Sequence, residues 1–244
     1  MSERFVDVTS KHGTIPSFMA CPDTPGAHPA IILYMDAPGI REELRNITRR
    51  IAKQGYVCIL PDLYHRYGTL RFDLPRRYDA MSTIIRAAYL GLTDADINED
   101  TAGLIGFLEA QPNVRPGRIG SIGFCMSGRF VTTTARAFPE RFACAASLYG
   151  TRLVVDEEDS PHKFLTGIKA EMYYGFGDLD HTTPPDYIRT FRAALDEARV
   201  NYSMDVFENV DHGYSFVERA MYDPHAAEVS WTKVFDLFKR NLQG

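Results

Sequence analysis

Apolar residues along this chain fall into two kinds of run. One kind is short and continuous: Ala30-Ile31-Ile32-Leu33-Tyr34-Met35, Tyr56-Val57-Cys58-Ile59-Leu60, the run into Gly123, Phe142 to Tyr149, and Ala170 to Phe176. Strands covered on both faces read this way. The other kind recurs at helical spacing, as in Glu42 to Gln54, where Leu44, Ile47, Ile51 and Ala52 share one face and Gly55 closes the run. Further helices are predicted over Arg129 to Phe138, Ile97 to Ala110 (capped by Asp94 or Asp96), Asp186 to Arg199, and Ala226 to Leu242. Alternation in Phe5 to Val8 and Ile15 to Ala20, about a turn at His12-Gly13, predicts an antiparallel hairpin at a sheet edge. Tyr202 to Phe207 alternates as the last strand. The basic, aromatic stretch from Tyr67 to Leu92 predicts an irregular excursion with a helix around Tyr78 to Tyr89, and Thr151 to Lys163 a polar loop.

Buried strands alternating with helices specify an α/β class. The expectation is a doubly wound, mostly parallel sheet with an antiparallel N-terminal edge and helices on both faces. No repeat or low-complexity segment interrupts the pattern, so residues 1–244 read as a single domain. Composition alters little: 45% hydrophobic and 24% charged residues are ordinary for a globular chain. A net charge of −5 argues against a nucleic-acid partner, and no apolar run is long enough to span a bilayer. Met1-Ser2-Glu3-Arg4-Phe5 lacks the regions of a signal peptide. The cysteines, Cys21, Cys58, Cys125 and Cys144, are scattered without C-x-x-C spacing and read as reduced thiols. The expectation is therefore a cytoplasmic protein, monomeric or a small homo-oligomer.

The candidate chemistry gathers at strand ends. Ile119 to Gly123 runs as a strand into Phe124-Cys125-Met126-Ser127-Gly128, and a helix follows. Strand, sharp turn and helix with a nucleophile at the turn is the nucleophile-elbow pattern, here G-x-C-x-S-G. The strained turn demands small neighbours, which Gly123 and Ser127 supply, and the helix N-terminus favours a thiolate. The alternative is a cysteine that merely fills a strand end. Asp36, Asp178 or Asp180, and His212 also each follow a predicted strand, and in such sheets chemistry collects at the carboxyl ends of strands. Nucleophile, acid, histidine is the chain order of an α/β-hydrolase triad. His212 would exchange a proton with Cys125, and the acid would fix its tautomer. The backbone N–H groups of Ala37 and Met126 are candidates for an oxyanion hole. The remaining six histidines read as surface or loop residues.

Metal and nucleotide sites find little support. Asp94-Ala95-Asp96-Ile97-Asn98 opens like a calcium loop, but Glu99 stands where glycine is needed and Ile105 where glutamate is needed. The segment from Asp178 fails likewise, with Thr183 and Arg189 at those positions. There is no G-x-G-x-x-G or P-loop, so neither metal nor cofactor is expected.

Five segments together resemble the dienelactone hydrolase family. They are Met35-Asp36-Ala37-Pro38-Gly39, Gly55-Tyr56-Val57 with Pro61-Asp62-Leu63-Tyr64-His65-Arg66, Gly123 to Gly128, Gly177 to Pro184, and Asp211-His212-Gly213-Tyr214. The resemblance implies an α/β-hydrolase fold without a large cap and a Cys125-His212-Asp180 triad. It implies hydrolysis of small carboxylic esters or lactones through an acyl-enzyme, the type activity opening dienelactone to maleylacetate. Asp180 is preferred to Asp178 because the family's acid follows a small residue by three and precedes a proline by four, as Gly177 and Pro184 do here.

Two positions depart from the family. Asp36 replaces a glutamate that takes part in activating the thiol; leaving its strand beside Ala37, it is expected to face the cleft and modulate Cys125. An alternative role for it is capping the loop around Gly39. Phe216 stands where the family places a substrate-binding arginine, and Arg219 is the nearest substitute. Arg71, Arg76 and Arg77, with Tyr67 and Tyr78, are further candidates to bind a substrate carboxylate, against the alternative of a solvated basic face. The rival reading of the whole chain is a catalytically silent hydrolase fold serving as a binding or sensor module.

Overall fold

A computed structural model describes residues 1–72, 74 and 78–243, so Arg76 and Arg77 lie outside the described residues. The chain divides into two compact units, Met1–Gly117 and Arg118–Gly244.

In the first unit, β1 (Ser2–Ser10) and β2 (Gly13–Cys21) form the expected antiparallel hairpin, in register from Ser2 opposite Cys21 to Ser10 opposite Gly13. Gly13 sits at φ +121, which only glycine adopts without strain. β2 pairs antiparallel with β4 (Val57–Pro61), and β4 pairs parallel with β3 (Ala30–Tyr34). The local order is β1-β2-β4-β3. β3 and β4 are buried throughout, the burial their continuous apolar runs require. Helix α1 (Glu42–Lys53) buries Leu44, Ile47, Ile51 and Ala52, the face that the spacing picks out.

The excursion contains α2 (Asp79–Leu90). Helix α3 (Asp94–Glu109) is capped by Thr93, not by Asp94 or Asp96. A cap needs extended backbone and an oxygen that reaches the third helical N–H. Thr93 has both, and Asp96 answers from that third position in a capping box. Helix α3 lies close on β1 at Gly103, where a Cβ would stand 2.6 Å from the Thr9 carbonyl. His65 also departs from expectation. Its side chain is 3% exposed, and its Nε2 lies 3.0 Å from the fully buried Asp100, which also accepts from Arg66.

In the second unit, β5 (Ile119–Phe124), β6 (Phe142–Leu148), β7 (Glu171–Gly177) and β8 (Tyr202–Phe207) pair in parallel in that order. β5 and β6 are buried throughout, whereas β8 shows the intermittent exposure its alternation predicts. Helix α4 (Ser127–Ala137) packs on β5 and β6, and α6 (Pro224–Leu242) packs on β6 and β7. Helix α5 (Pro185–Glu197) packs on a single 3-10 turn, Pro161–Lys163, inside the expected polar loop. Asp223 caps α6 through the Ala226 N–H, so that helix starts slightly earlier than its apolar spacing suggests. Mostly parallel strands, intervening helices, an antiparallel N-terminal edge and no cap domain among the described residues make this an α/β-hydrolase fold.

Candidate active site

Cys125 follows β5 directly and has φ +55, a left-handed conformation that non-glycine residues seldom adopt. The turn is over-determined by its neighbours. The Cys125 carbonyl accepts from Gly128 N at 3.0 Å and Thr151 N at 2.9 Å, while its own N–H donates to the Leu148 carbonyl at 3.2 Å. A Cβ at Gly123 would meet Ser127 Cβ at 2.9 Å, and one at Gly128 would meet Gly150 Cα at 2.2 Å. The helix therefore turns back tightly enough to lift the sulfur off the strand end. Cys125 is half-buried, whereas Cys21, Cys58 and Cys144 are buried. Burial pushes the Cys58 and Cys144 thiols well up, so neither is a nucleophile at neutral pH.

Asp180 and His212 stand on the loops after β7 and β8. His212 Nδ1 lies 2.6 Å from Asp180 Oδ2. Asp180 is 1% exposed, and its other oxygen accepts from Thr182 N at 2.9 Å and Thr182 Oγ1 at 2.6 Å. Burial acts to raise the Asp180 pKa, but the hydrogen bond and charge of His212 and the Thr182 donors outweigh it and hold the carboxyl below its usual range. For His212, burial acts to lower the pKa. Negative charge on the Cys125 sulfur, hydrogen bonds to Asp180 and to Cys125, and the Asp180 charge together raise it from its ordinary 6.5 to about 10. The imidazole thus lies between the sulfur and the carboxylate. Tyr149 meets the His212 ring edge-on at 5.1 Å and anchors its own hydroxyl 2.8 Å from Ser215 Oγ.

Asp178 is exposed and does different work. Its carboxylate accepts from Val210 N at 3.3 Å and its N–H donates to the Phe207 carbonyl at 3.0 Å, while Leu179 N donates to the Val210 carbonyl at 3.0 Å. Gly177 permits this approach, since a Cβ there would lie 2.2 Å from the Val210 carbonyl oxygen. These contacts bolt the acid's loop to the histidine's loop. Asp180, His181 and Asp211 also bring ligand atoms within 4.8 Å of one another, but both Asp180 oxygens already serve His212 and Thr182.

Met126 begins the elbow helix as its cap residue. Arg219 is partly buried, its guanidinium 5.0 Å from the Phe216 ring centroid, and its NH1 lies 3.9 Å from where a Gly213 Cβ would stand, one residue beyond His212. In the first unit, Asp36 is 1% exposed and bound by both terminal nitrogens of Arg41, at 2.5 and 3.1 Å. Burial acts to lower the Arg41 pKa, but Asp36 and Glu43 raise it well above the ordinary arginine value. The Asp36 carboxylate is thus held by a guanidinium. Ala37 accepts at its carbonyl from Tyr64 Oη at 2.6 Å. Arg71 pairs with Asp62 at 3.2 Å, Tyr67 stacks on Tyr64 at 6.0 Å, and Tyr78 is 68% exposed at the cap of α2.

Sequence reasoning passed over Thr182, Tyr149 and Arg41. Thr182 had a signal, since an aspartate two residues before a threonine N–H is the Asx-turn pattern. Tyr149 carried none, because its role comes from a left-handed φ of +41 and from spatial packing.

The dienelactone hydrolase family profile matches residues 15–242. A relative in a Synechocystis strain, provisionally named carboxymethylenebutenolidase, is 29% identical over 98% of this chain and 96% of its own length. A Bradyrhizobium protein, provisionally named 2-oxo-3-(5-oxofuran-2-ylidene)propanoate lactonase, is 23% identical over 98% of this chain and 95% of its own. A crystal structure of a protein from Klebsiella pneumoniae, itself provisionally titled a dienelactone hydrolase, superposes with a TM-score of 0.88 at 25% identity, covering 98% of both chains. The chain belongs to the dienelactone hydrolase family of ester and lactone hydrolases.

Proposed function

We propose that this hydrolase acts on small carboxylic esters or lactones through a Cys125-His212-Asp180 triad and an acyl-enzyme. The observation that carries the reading is the half-buried Cys125 in a left-handed turn, hydrogen-bonded to an imidazole whose other nitrogen lies 2.6 Å from Asp180. The thiolate attacks the acyl carbon, and the carbonyl π electrons move to oxygen. The N–H group of Met126, at the start of the elbow helix, receives that oxyanion. The tetrahedral adduct collapses with loss of the alkoxide, which takes the Nε2 proton of His212. In a lactone the alkoxide stays tethered as a hydroxyl on the acyl chain. Neutral His212 then takes a proton from water, whose oxygen attacks the thioester. Collapse expels the sulfur and frees the acid. The family match runs through both compact units, which supports one catalytic domain over residues 1–244. Four free cysteines fit a cytoplasmic setting. A substrate carboxylate would find its guanidinium in Arg219, next to the histidine loop, or in the arginines of the excursion. Asp36, paired with Arg41, is proposed to modulate the thiol.

Turnover of p-nitrophenyl acetate with and without prior iodoacetamide tests the mechanism. Alkylation and Cys125→Ala should each abolish turnover while the fold persists. Residual activity above roughly a hundredth of wild type in the folded Cys125→Ala protein overturns it.

A further inference from the structure

We propose that Thr182 is the positioning residue of the acid arm, clamping one Asp180 oxygen so that the other faces His212. This rests on the triad reading above. A carboxylate can rotate about its Cβ–Cγ bond and offer either oxygen, or the edge between them, to an imidazole. Here Thr182 removes that freedom. Its backbone N–H and its hydroxyl both point at Oδ1, at 2.9 and 2.6 Å, and Oδ2 alone is left for Nδ1 at 2.6 Å. The same hydroxyl oxygen lies 3.3 Å from Nδ1. Its single hydrogen goes to the shorter contact with the carboxylate, so toward the imidazole the oxygen is an acceptor. The Nδ1 proton is thereby flanked by two acceptors and the wrong tautomer is disfavoured from both.

The clamp also answers a charge problem. Asp180 is 1% exposed, and a buried carboxylate stays ionised only when its oxygens are hydrogen-bonded or paired. His212 supplies one donor and Thr182 two. Thr182 itself is exposed, so its hydroxyl is not required for core packing. The neighbouring Thr183 is the converse: it is 1% exposed and its N–H closes the turn on the Asp180 carbonyl at 3.1 Å. The two threonines therefore divide the work, Thr183 shaping the backbone and Thr182 holding the carboxylate.

Thr182→Val removes the hydroxyl and keeps branching at Cβ; Thr182→Ser restores the hydroxyl without the methyl. Thr182→Val should lower kcat on p-nitrophenyl acetate roughly tenfold with KM unchanged, since one hydrogen bond to a charged group is lost. Thr182→Ser should recover wild-type kcat. In Thr182→Val the less tightly held carboxylate stabilises the imidazolium less, so the upper inflection in the pH profile of Cys125 alkylation should move down. The inference is overturned if Thr182→Val keeps wild-type kcat and pH profile, or if Thr182→Ser fails to restore them in a folded protein. Cys125→Ala and Asp180→Asn are assayed alongside. If those two stay active the triad itself fails; if they are inactive while Thr182→Val is normal, only the clamp fails.

Discussion

Replacing Asp180 by asparagine poses a sharper question than removing a charge. Asparagine has one acceptor oxygen where aspartate has two, and three donors converge on that carboxylate. With the amide oxygen toward Thr182, both Thr182 bonds survive and the NH2 group faces Nδ1 of His212. With the amide reversed, one bond to Nδ1 survives and the NH2 opposes the Thr182 N–H. The first orientation keeps two bonds against one, an advantage of about 1 kcal/mol. An NH2 facing Nδ1 requires a lone pair there, which moves the ring proton to Nε2. A ring already protonated on Nε2 cannot take the proton of Cys125, so the thiol stays neutral.

The loss follows from these contacts. A charge-assisted hydrogen bond contributes ~1.5–3 kcal/mol, and the unfavourable tautomer adds a further ~1–2 kcal/mol. At about 1.36 kcal/mol per factor of ten, Asp180→Asn should lower kcat by roughly 10²- to 10⁴-fold. The variant should still fold, since the amide is of similar size and keeps the Thr182 contacts. Asp178→Asn is the matched control, because its amide oxygen can still accept from Val210 N. Steady-state hydrolysis gives kcat for both, and iodoacetamide alkylation against pH reports the thiolate directly. Wild-type alkylation at neutral pH in Asp180→Asn, or a crippled Asp178→Asn beside an active Asp180→Asn, refutes the reasoning.

Four other outcomes follow. Gly128→Ala should destabilise by at least ~2 kcal/mol in a urea titration, because its Cβ would stand 2.2 Å from the Gly150 backbone. Arg41→Gln removes the guanidinium that Asp36 and Glu43 share and should cost ~3–5 kcal/mol by the same titration; an unchanged midpoint would make the pair dispensable. His212 has a folded-state pKa of about 10, above its ordinary 6.5, so its stabilising contribution is complete below pH ~6.5 and is lost as pH rises through about 10. Calorimetry should show a falling melting temperature across that window, and a smaller fall in Cys125→Ala, which lacks the sulfur charge. Arg219→Ala should raise KM for a carboxylate-bearing ester and leave its neutral analogue unaffected; equal effects on both would rule out a carboxylate contact at Arg219.

Features encoded in local patterns were legible before any coordinates. Continuous apolar runs specified β3, β4, β5 and β6, because a strand with two covered faces tolerates no alternation. The elbow was legible because its geometry excludes side chains at Gly123 and Gly128, which leaves a mark in composition. Asp180 came from the resemblance, whose acid lies between a small residue and a proline at the spacing of Gly177 and Pro184, and the structure places it 2.6 Å from His212. Asp178 was harder to assign, because its partner Val210 lies on another loop and no local spacing encodes that contact.

The same distinction separates Asp36 from Asp180. Each is an aspartate just past a strand, and each is 1% exposed, so burial alone does not distinguish their chemistry. Their partners do. Arg41 is charged at every relevant pH, so its pair with Asp36 is fixed. In the proposed mechanism His212 gains and loses a proton, so its pair with Asp180 can cycle. An aspartate beside a strand end shows in a sequence, whereas the group that answers it comes from the fold. In the proposed triad, the carboxylate of the proton cycle is the one whose partner can change its charge.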